Sequence, residues 1–285
     1  MKKIILCADD YGQNQAISQG ILELIRKKRL SATSCLVTFP DWSKWAAELT
    51  PYAHTLDIGL HLNLTEGEPL SSLLQQLRGF WNLPTLMIQS YLRLLDKAAI
   101  WQELNQQLDA FVSALGRPPD FIDGHQHAHQ LPIIRDLVLA LYRERLTVFP
   151  CYVRCVYQPL RFSGRDTMKQ RMIQCMGASS FKRLLQQQHI VHNSSFEGIY
   201  RFNEASEYSM RFPLFLDRVG ENGLIMCHPA MKSAGGHHDV IAIARGHEFD
   251  YFNSDQFLND CKQAGVRLGR MREHGFFRLS EQCDG

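Results

Sequence analysis

Short apolar runs alternate along this chain with longer stretches whose apolar residues recur at helical spacing. Residues 4–8, 31–39, 55–63, 120–124, 147–153, 223–227 and 265–268 read as strands, and a weaker strand begins at 190–191. Ile17, Ile21, Leu24 and Ile25 fall on one helical face. Leu104, Leu108, Phe111, Val112 and Leu115 do the same over 101–115, where Gly116 and Pro118-Pro119 close the helix. Further helices are expected over 42–49, 132–145, 204–219 and 255–264, and a basic one over about 165–188.

Strands that alternate with helices imply parallel pairing, and strands apolar throughout are buried on both faces. The pattern predicts an α/β protein of about seven βα units in a single domain spanning 1–285. Polar residues follow strand after strand. In a closed or nearly closed βα barrel those ends converge on one site, so a barrel is expected rather than a doubly wound sheet. Residues 66–98 break the rhythm. Segment 80–88 is too apolar for a free loop and follows the strand end that carries His61. It is expected to be a helical insertion that covers the barrel mouth or packs against a second subunit of a homodimer. Ordinary core is the alternative.

Composition narrows the function classes. A chain of 285 residues with 45% hydrophobic and 21% charged residues is neither disordered nor of low complexity. Thirty-one Lys and Arg against 29 Asp and Glu leave +2, which offers no electrostatic case for nucleic acid or an anionic membrane. No apolar run is long enough for a membrane span. Met1-Lys2-Lys3 precedes only five apolar residues, too few for a signal sequence, so a cytoplasmic location is expected. The eight cysteines form no C-x-x-C pair and read as reduced and buried. The 12 histidines matter most, because imidazole is the commonest metal ligand.

Several strand ends carry chemistry. The first ends in Asp9-Asp10-Tyr11-Gly12. Two adjacent carboxylates there are costly unless neutralised. One could hold a metal while the other acts as a base, or the pair could simply cap the next helix. His61 and Asn63 alternate on one face of the third strand, where a core histidine is equally natural. His125, His127 and His129 alternate between an apolar strand and a helix, a sharper sign of metal binding. His228, before Pro229, ends another apolar strand and suits acid–base work. His237, His238 and His247 read as solvated. One carboxylate and two histidines leave open coordination positions, the mark of a catalytic metal site. The chain has no G-x-G-x-x-G and no G-x-S-x-G, so nucleotide and serine-hydrolase chemistry are unsupported.

The segments ADDYG (8–12), GLHLNLT (59–65), DGHQHAH (123–129) and MCHPA (226–230), in that order, resemble the YdjC-like carbohydrate deacetylase family. The likeness extends over roughly residues 4–268. It implies a barrel of the polysaccharide-deacetylase kind and one divalent metal ion held by Asp10, His61 and His125. Zn²⁺ suits the imidazole ligands better than Mg²⁺. The resemblance also implies Asp9 as general base, His228 as general acid and Arg154 as the residue that orients the catalytic carboxylate. Tyr11 stands where Phe is commoner, and Ala230 where the family more often has glycine. The expected reaction is hydrolysis of the N-acetyl group of a chitooligosaccharide or related N-acetylhexosamine conjugate, with release of acetate. Tyr11, Asn63, His127 and Phe196 are candidate substrate contacts, and Trp42 and Tyr200 could stack on sugar. The competing readings are a phosphoesterase on the same scaffold, kept open by His127, His129 and Arg154, and a non-catalytic sugar-binding protein.

Overall fold

The computed structural model describes residues 1–77, 79–158, 176–232 and 239–274. At its centre is a curled, wholly parallel sheet. Its strands are β1 (Lys2–Tyr11), β2 (Ala32–Cys35), β3 (Asp57–Leu62), β4 (Phe121–Gly124), β5 (Tyr152–Val153), β6 (Phe196–Glu197), β7 (Leu224–Cys227) and β8 (Val266–Leu268). The order is β5-β4-β3-β2-β1-β7-β6, with β8 paired to the first residues of β1. A single parallel bridge from Val153 to His192 links the segment before β6 to β5, so the sheet's two edges approach one another. The barrel is therefore a curled sheet rather than an evenly closed cylinder. β1 to β4 and β7 are buried along nearly their whole length, as their apolar runs require.

Helices pack around the sheet: α1 (Gln15–Arg26), α2 (Trp42–Leu49), α3 (Ser72–Leu77), α4 (Leu83–Tyr91), α5 (Lys97–Leu115), α6 (Ile134–Arg145), α7 (Ala178–Gln187), α8 (Tyr208–Arg218), α9 (Ala242–Asn253) and α10 (Asp255–Gln263). α5 begins four residues earlier than its apolar stripe predicts. The Asp96 carboxylate accepts from the Ala98 and Ala99 amides and nucleates an extra turn. Of the basic stretch at 165–188, the part before 176 lies outside the described residues, as do His237 and His238. Strand 147–153 shrinks to two residues because Val148 and Phe149 turn outward to solvent.

The 66–98 segment is neither all core nor all cover. Leu74, Trp81, Leu86 and Leu95 are buried. Leu83 and Glu66 reach the central cavity, so the segment forms part of its wall. Ile88, Tyr91, Leu92 and Leu94 face solvent. Among the described residues no helix is long and apolar enough to cross a membrane, and the six described cysteines are buried and unbridged.

The end of the sheet opposite the cavity holds a buried acid. Asp57, at the start of β3, accepts from the Met271 amide at 2.7 Å through one oxygen, while its other oxygen has no partner. Burial, and secondly the charge of Asp120, push its carboxyl up to about 7. The unfolded chain ionises it near pH 3.8. The stability it contributes is therefore complete below about pH 4 and lost as pH rises through about 7. We expect denaturant stability to fall by an amount on the order of a few kcal/mol between about pH 5 and pH 8, with Asp57→Asn flattening that decline. Equal slopes for the two proteins would contradict this.

Candidate active site

Asp9 and Asp10 end β1 side by side. In a regular strand they would point to opposite faces. Here the register with β2 slips between Ala8 and Tyr11, and Asp10 takes a φ of 71°. That left-handed conformation costs a non-glycine residue about 1–3 kcal/mol and persists only where the surroundings enforce it. The bulge turns both carboxylates into one cavity of about 340 Å³.

Two histidines join Asp10 there. His61 lies on β3 directly across from Asp123 on β4. Its Nδ1 donates to Asp123 at 2.7 Å, which leaves Nε2 turned to Asp10, 3.5 Å away. His125 follows β4 in a tight 3₁₀ turn and places Nδ1 2.9 Å from the same Asp10 oxygen. Its Nε2 donates to Glu66 at 2.8 Å. One ligand atom from each of Asp10, His61 and His125 lies within 4.8 Å of the others, and all three residues are buried.

Charge supports a cation at this point. Buried Asp9, Asp10 and Asp123 face two buried arginines, Arg154 and Arg245, and Glu66 and Asp239 at the rim add further negative charge. Burial would push the His61 imidazole down, yet Asp123 and Asp10 raise it to about 10. A proton held that tightly makes up a deficit that a divalent cation would also fill. Burial likewise opposes ionisation of Asp10, but Arg245 and His125 overcome it and hold the carboxyl well below the usual range. The donor set, with an outer partner on each ligand, fits a metal such as zinc.

Asp9 is held differently. Arg154, wholly buried after β5, grips it with two parallel bonds of 2.6 and 2.7 Å and reaches Asp123 at 2.7 Å. One guanidinium therefore orients Asp9 and the partner of His61 together. His228, at the end of β7, brings Nε2 to 4.0 Å from Asp9. Its backbone amide donates to Glu248 of α9 at 2.5 Å, and its ring packs at right angles to that of Phe202.

The other expected contacts separate. His127 lines the cavity, while burial holds its imidazole well below the usual value and therefore neutral. His129 turns away, donates to the Arg154 carbonyl at 3.1 Å and packs on Phe181. Residues 126 and 127 have positive φ, so the three histidines splay instead of alternating. Tyr11, Asn63 and Phe196 do not reach the cavity. The Tyr11 hydroxyl donates to the Trp45 carbonyl, and Phe196 is core. Asn63 is buried and braces the turn that follows β3. Trp42 stacks on Phe111, and Tyr200 donates to Glu248. Buried aromatic and amide groups met their polar needs inside the fold, which the strand pattern does not reveal. Sequence reading did not single out Asp123, Arg245 or Glu66. Asp123 left a trace as a charged residue inside a buried strand, but Arg245 lies 235 positions from the Asp10 that it holds.

Comparison with known proteins agrees with this geometry. The family model of YdjC-like proteins matches residues 3–263. The chain is 30% identical over 272 residues to the chitooligosaccharide deacetylase of Yersinia pestis (strain Pestoides F), covering 94% of this chain and 97% of the relative. It is 27% identical over 279 residues to the one from Yersinia enterocolitica, with the same coverage. A solved structure from Enterococcus faecalis V583, assigned provisionally to cellobiose-phosphate cleavage, superposes with a TM-score of 0.73 at 22% identity, covering 96% of this chain and 98% of that one. A peptidoglycan N-acetylglucosamine deacetylase superposes with a TM-score of 0.51 at 10% identity, over 99% of this chain and 90% of that one. The last two likenesses concern the fold. With the family model spanning nearly the whole length and the four strand-end motifs lining one cavity wall, the chain belongs to the YdjC-like family.

Proposed function

We propose that this protein, with residues 1–285 acting as one domain, removes the N-acetyl group from a chitooligosaccharide or related N-acetylhexosamine conjugate. The observation that carries the reading is the sharing of one cavity by Asp9, His228 and the Asp10–His61–His125 cluster. The names of the curated relatives point the same way. Asp10, His61 and His125 would hold a divalent ion, zinc by preference, which would supply a Lewis acid for the amide carbonyl and lower the pKa of a water.

The chain's own residues do the rest. Asp9, its oxygens aligned by Arg154, takes a proton from the water as its oxygen adds to the acetyl carbon. His228 gives a proton to the amide nitrogen as the C–N bond breaks, so acetate and a free amine leave. Neutral His127 in the cavity wall offers a ring nitrogen to a substrate oxygen. A phosphate ester is a poorer fit. Arg154 is enclosed by Asp9 and Asp123, and Arg245 is committed to Asp10 and Asp239.

The test is acetate release from a panel of N-acetylated sugars, N,N′-diacetylchitobiose among them. We expect acetate and free amine in equal amounts, abolished by a chelator and restored by Zn²⁺. Hydrolysis of a phosphate ester with no acetate from any of the sugars would overturn the reading.

A further inference from the structure

Two residues of the ligand cluster, Asp10 and His125, belong to a closed ring of polar contacts. Arg245 donates to Oδ2 of Asp10 at 2.7 Å. Oδ1 of Asp10 meets Nδ1 of His125, and Nε2 of His125 meets Oε2 of Glu66. Gln13 donates to that same Glu66 oxygen at 2.9 Å and accepts from Arg245 at 3.4 Å. The ring joins the end of β1, the turn after β3, the turn after β4 and helix α9.

Glu66 is the member with the least obvious reason to be there. Its side chain is 45% exposed, yet its backbone is fixed by buried groups. Asn63 accepts from the Thr65 and Glu66 amides and donates to the Glu66 carbonyl. Gln107 of α5 clamps both backbone groups of Asn63, and Glu103 receives the Leu70 and Ser71 amides just beyond. Three buried polar side chains thus hold one half-exposed carboxylate against His125.

We propose that Glu66 is a positioning residue for the ion site: by accepting the Nε2 proton of His125 it makes Nδ1 the nitrogen offered to the ion. This rests on the reading of Asp10, His61 and His125 as ligands. The chemical reason is tautomeric. A histidine ligand must be neutral, with one nitrogen bare and the other protonated, and an acceptor on the far nitrogen decides which is which. A carboxylate acceptor also makes the ligand nitrogen more basic. Asp123 does this for His61, and Glu66 does it for His125. Because Glu66 is the first residue of the 66–98 segment, the cavity wall and the ion site are built as one unit.

The experiment measures Zn²⁺ and Co²⁺ affinity of the full chain by competition with a chromophoric chelator, for wild type, Glu66→Ala, Glu66→Gln and His125→Ala. Removing an outer carboxylate typically weakens binding by about 10–100-fold, and Glu66→Ala is expected to fall in that range. Glu66→Gln keeps an acceptor oxygen and should recover most of the loss. With the ion saturating, the KM of Glu66→Ala for N-acetylated sugar should match wild type. Unchanged ion affinity in Glu66→Ala would overturn the proposal, and unchanged affinity with a raised KM would make Glu66 a substrate contact instead. Wild-type affinity in His125→Ala would overturn the ligand reading itself, and this proposal with it.

Discussion

Asp10→Ala is expected to lose bound metal and turnover together, whereas Asp9→Asn is expected to keep the metal and lose turnover. The two carboxylates are neighbours in sequence but have different surroundings. Asp10 lies within reach of His61, His125 and Arg245, so removing it takes away one of the three proposed ligand atoms and one of the two carboxylates that pair with Arg245, leaving Asp239 and the longer contact to Gln13. Some loss of stability should accompany this, since a buried arginine with half its partners is costly. Asp9 is held by Arg154 and faces His228 at 4.0 Å, outside the ligand cluster. Asn at position 9 conserves shape but cannot take a proton, and the loss should be about 10²–10⁴-fold in kcat. Arg154 keeps its bond to Asp123 in that variant, so the fold should survive. Metal analysis beside activity decides the matter. Equal metal loss in both variants would remove the division of roles.

The second large effect concerns the leaving group. An amine departs from a tetrahedral carbon only with a proton, and the group proposed to give it is His228, whose Nε2 lies 4.0 Å from Asp9. We expect His228→Gln to lower kcat by about 10²–10⁴-fold with metal content unchanged. The deficit should shrink for an activated aryl acetate ester, whose leaving group needs no proton. Asp9 must start the cycle ionised and His228 protonated, so turnover should follow a bell-shaped pH profile. Both limbs of that profile belong to the coupled site as a whole and not to a single residue. If His228→Gln loses amide and ester turnover equally, His228 stabilises or positions and does not act as the acid.

Much of this was legible in the chain itself. Apolar runs wholly buried in the sheet, separated by helical stripes, already specify parallel strands with polar residues at their ends. The four strand-end motifs are local in sequence, so their residue types and order could be read directly. Asp10, His61 and His125 do converge, because parallel strands bring the same ends together.

The rest depended on contacts between positions far apart. Helix α9 escaped the hydrophobic pattern because it buries Arg245 and Glu248, which are polar and paired with Asp10 and with His228 and Tyr200. A helix whose inner face carries charge has no apolar stripe to find. That Asp9 and Asp10 share a face came from one slipped residue and a positive φ, where strand alternation predicts the opposite. The histidine triplet alternates in sequence but splays in space, because the chain turns at Gln126 and His127. The succession of strands and helices was thus legible locally from apolar periodicity. Which polar groups face the cavity was decided only by the tertiary structure, because buried charges must find partners wherever the fold brings them.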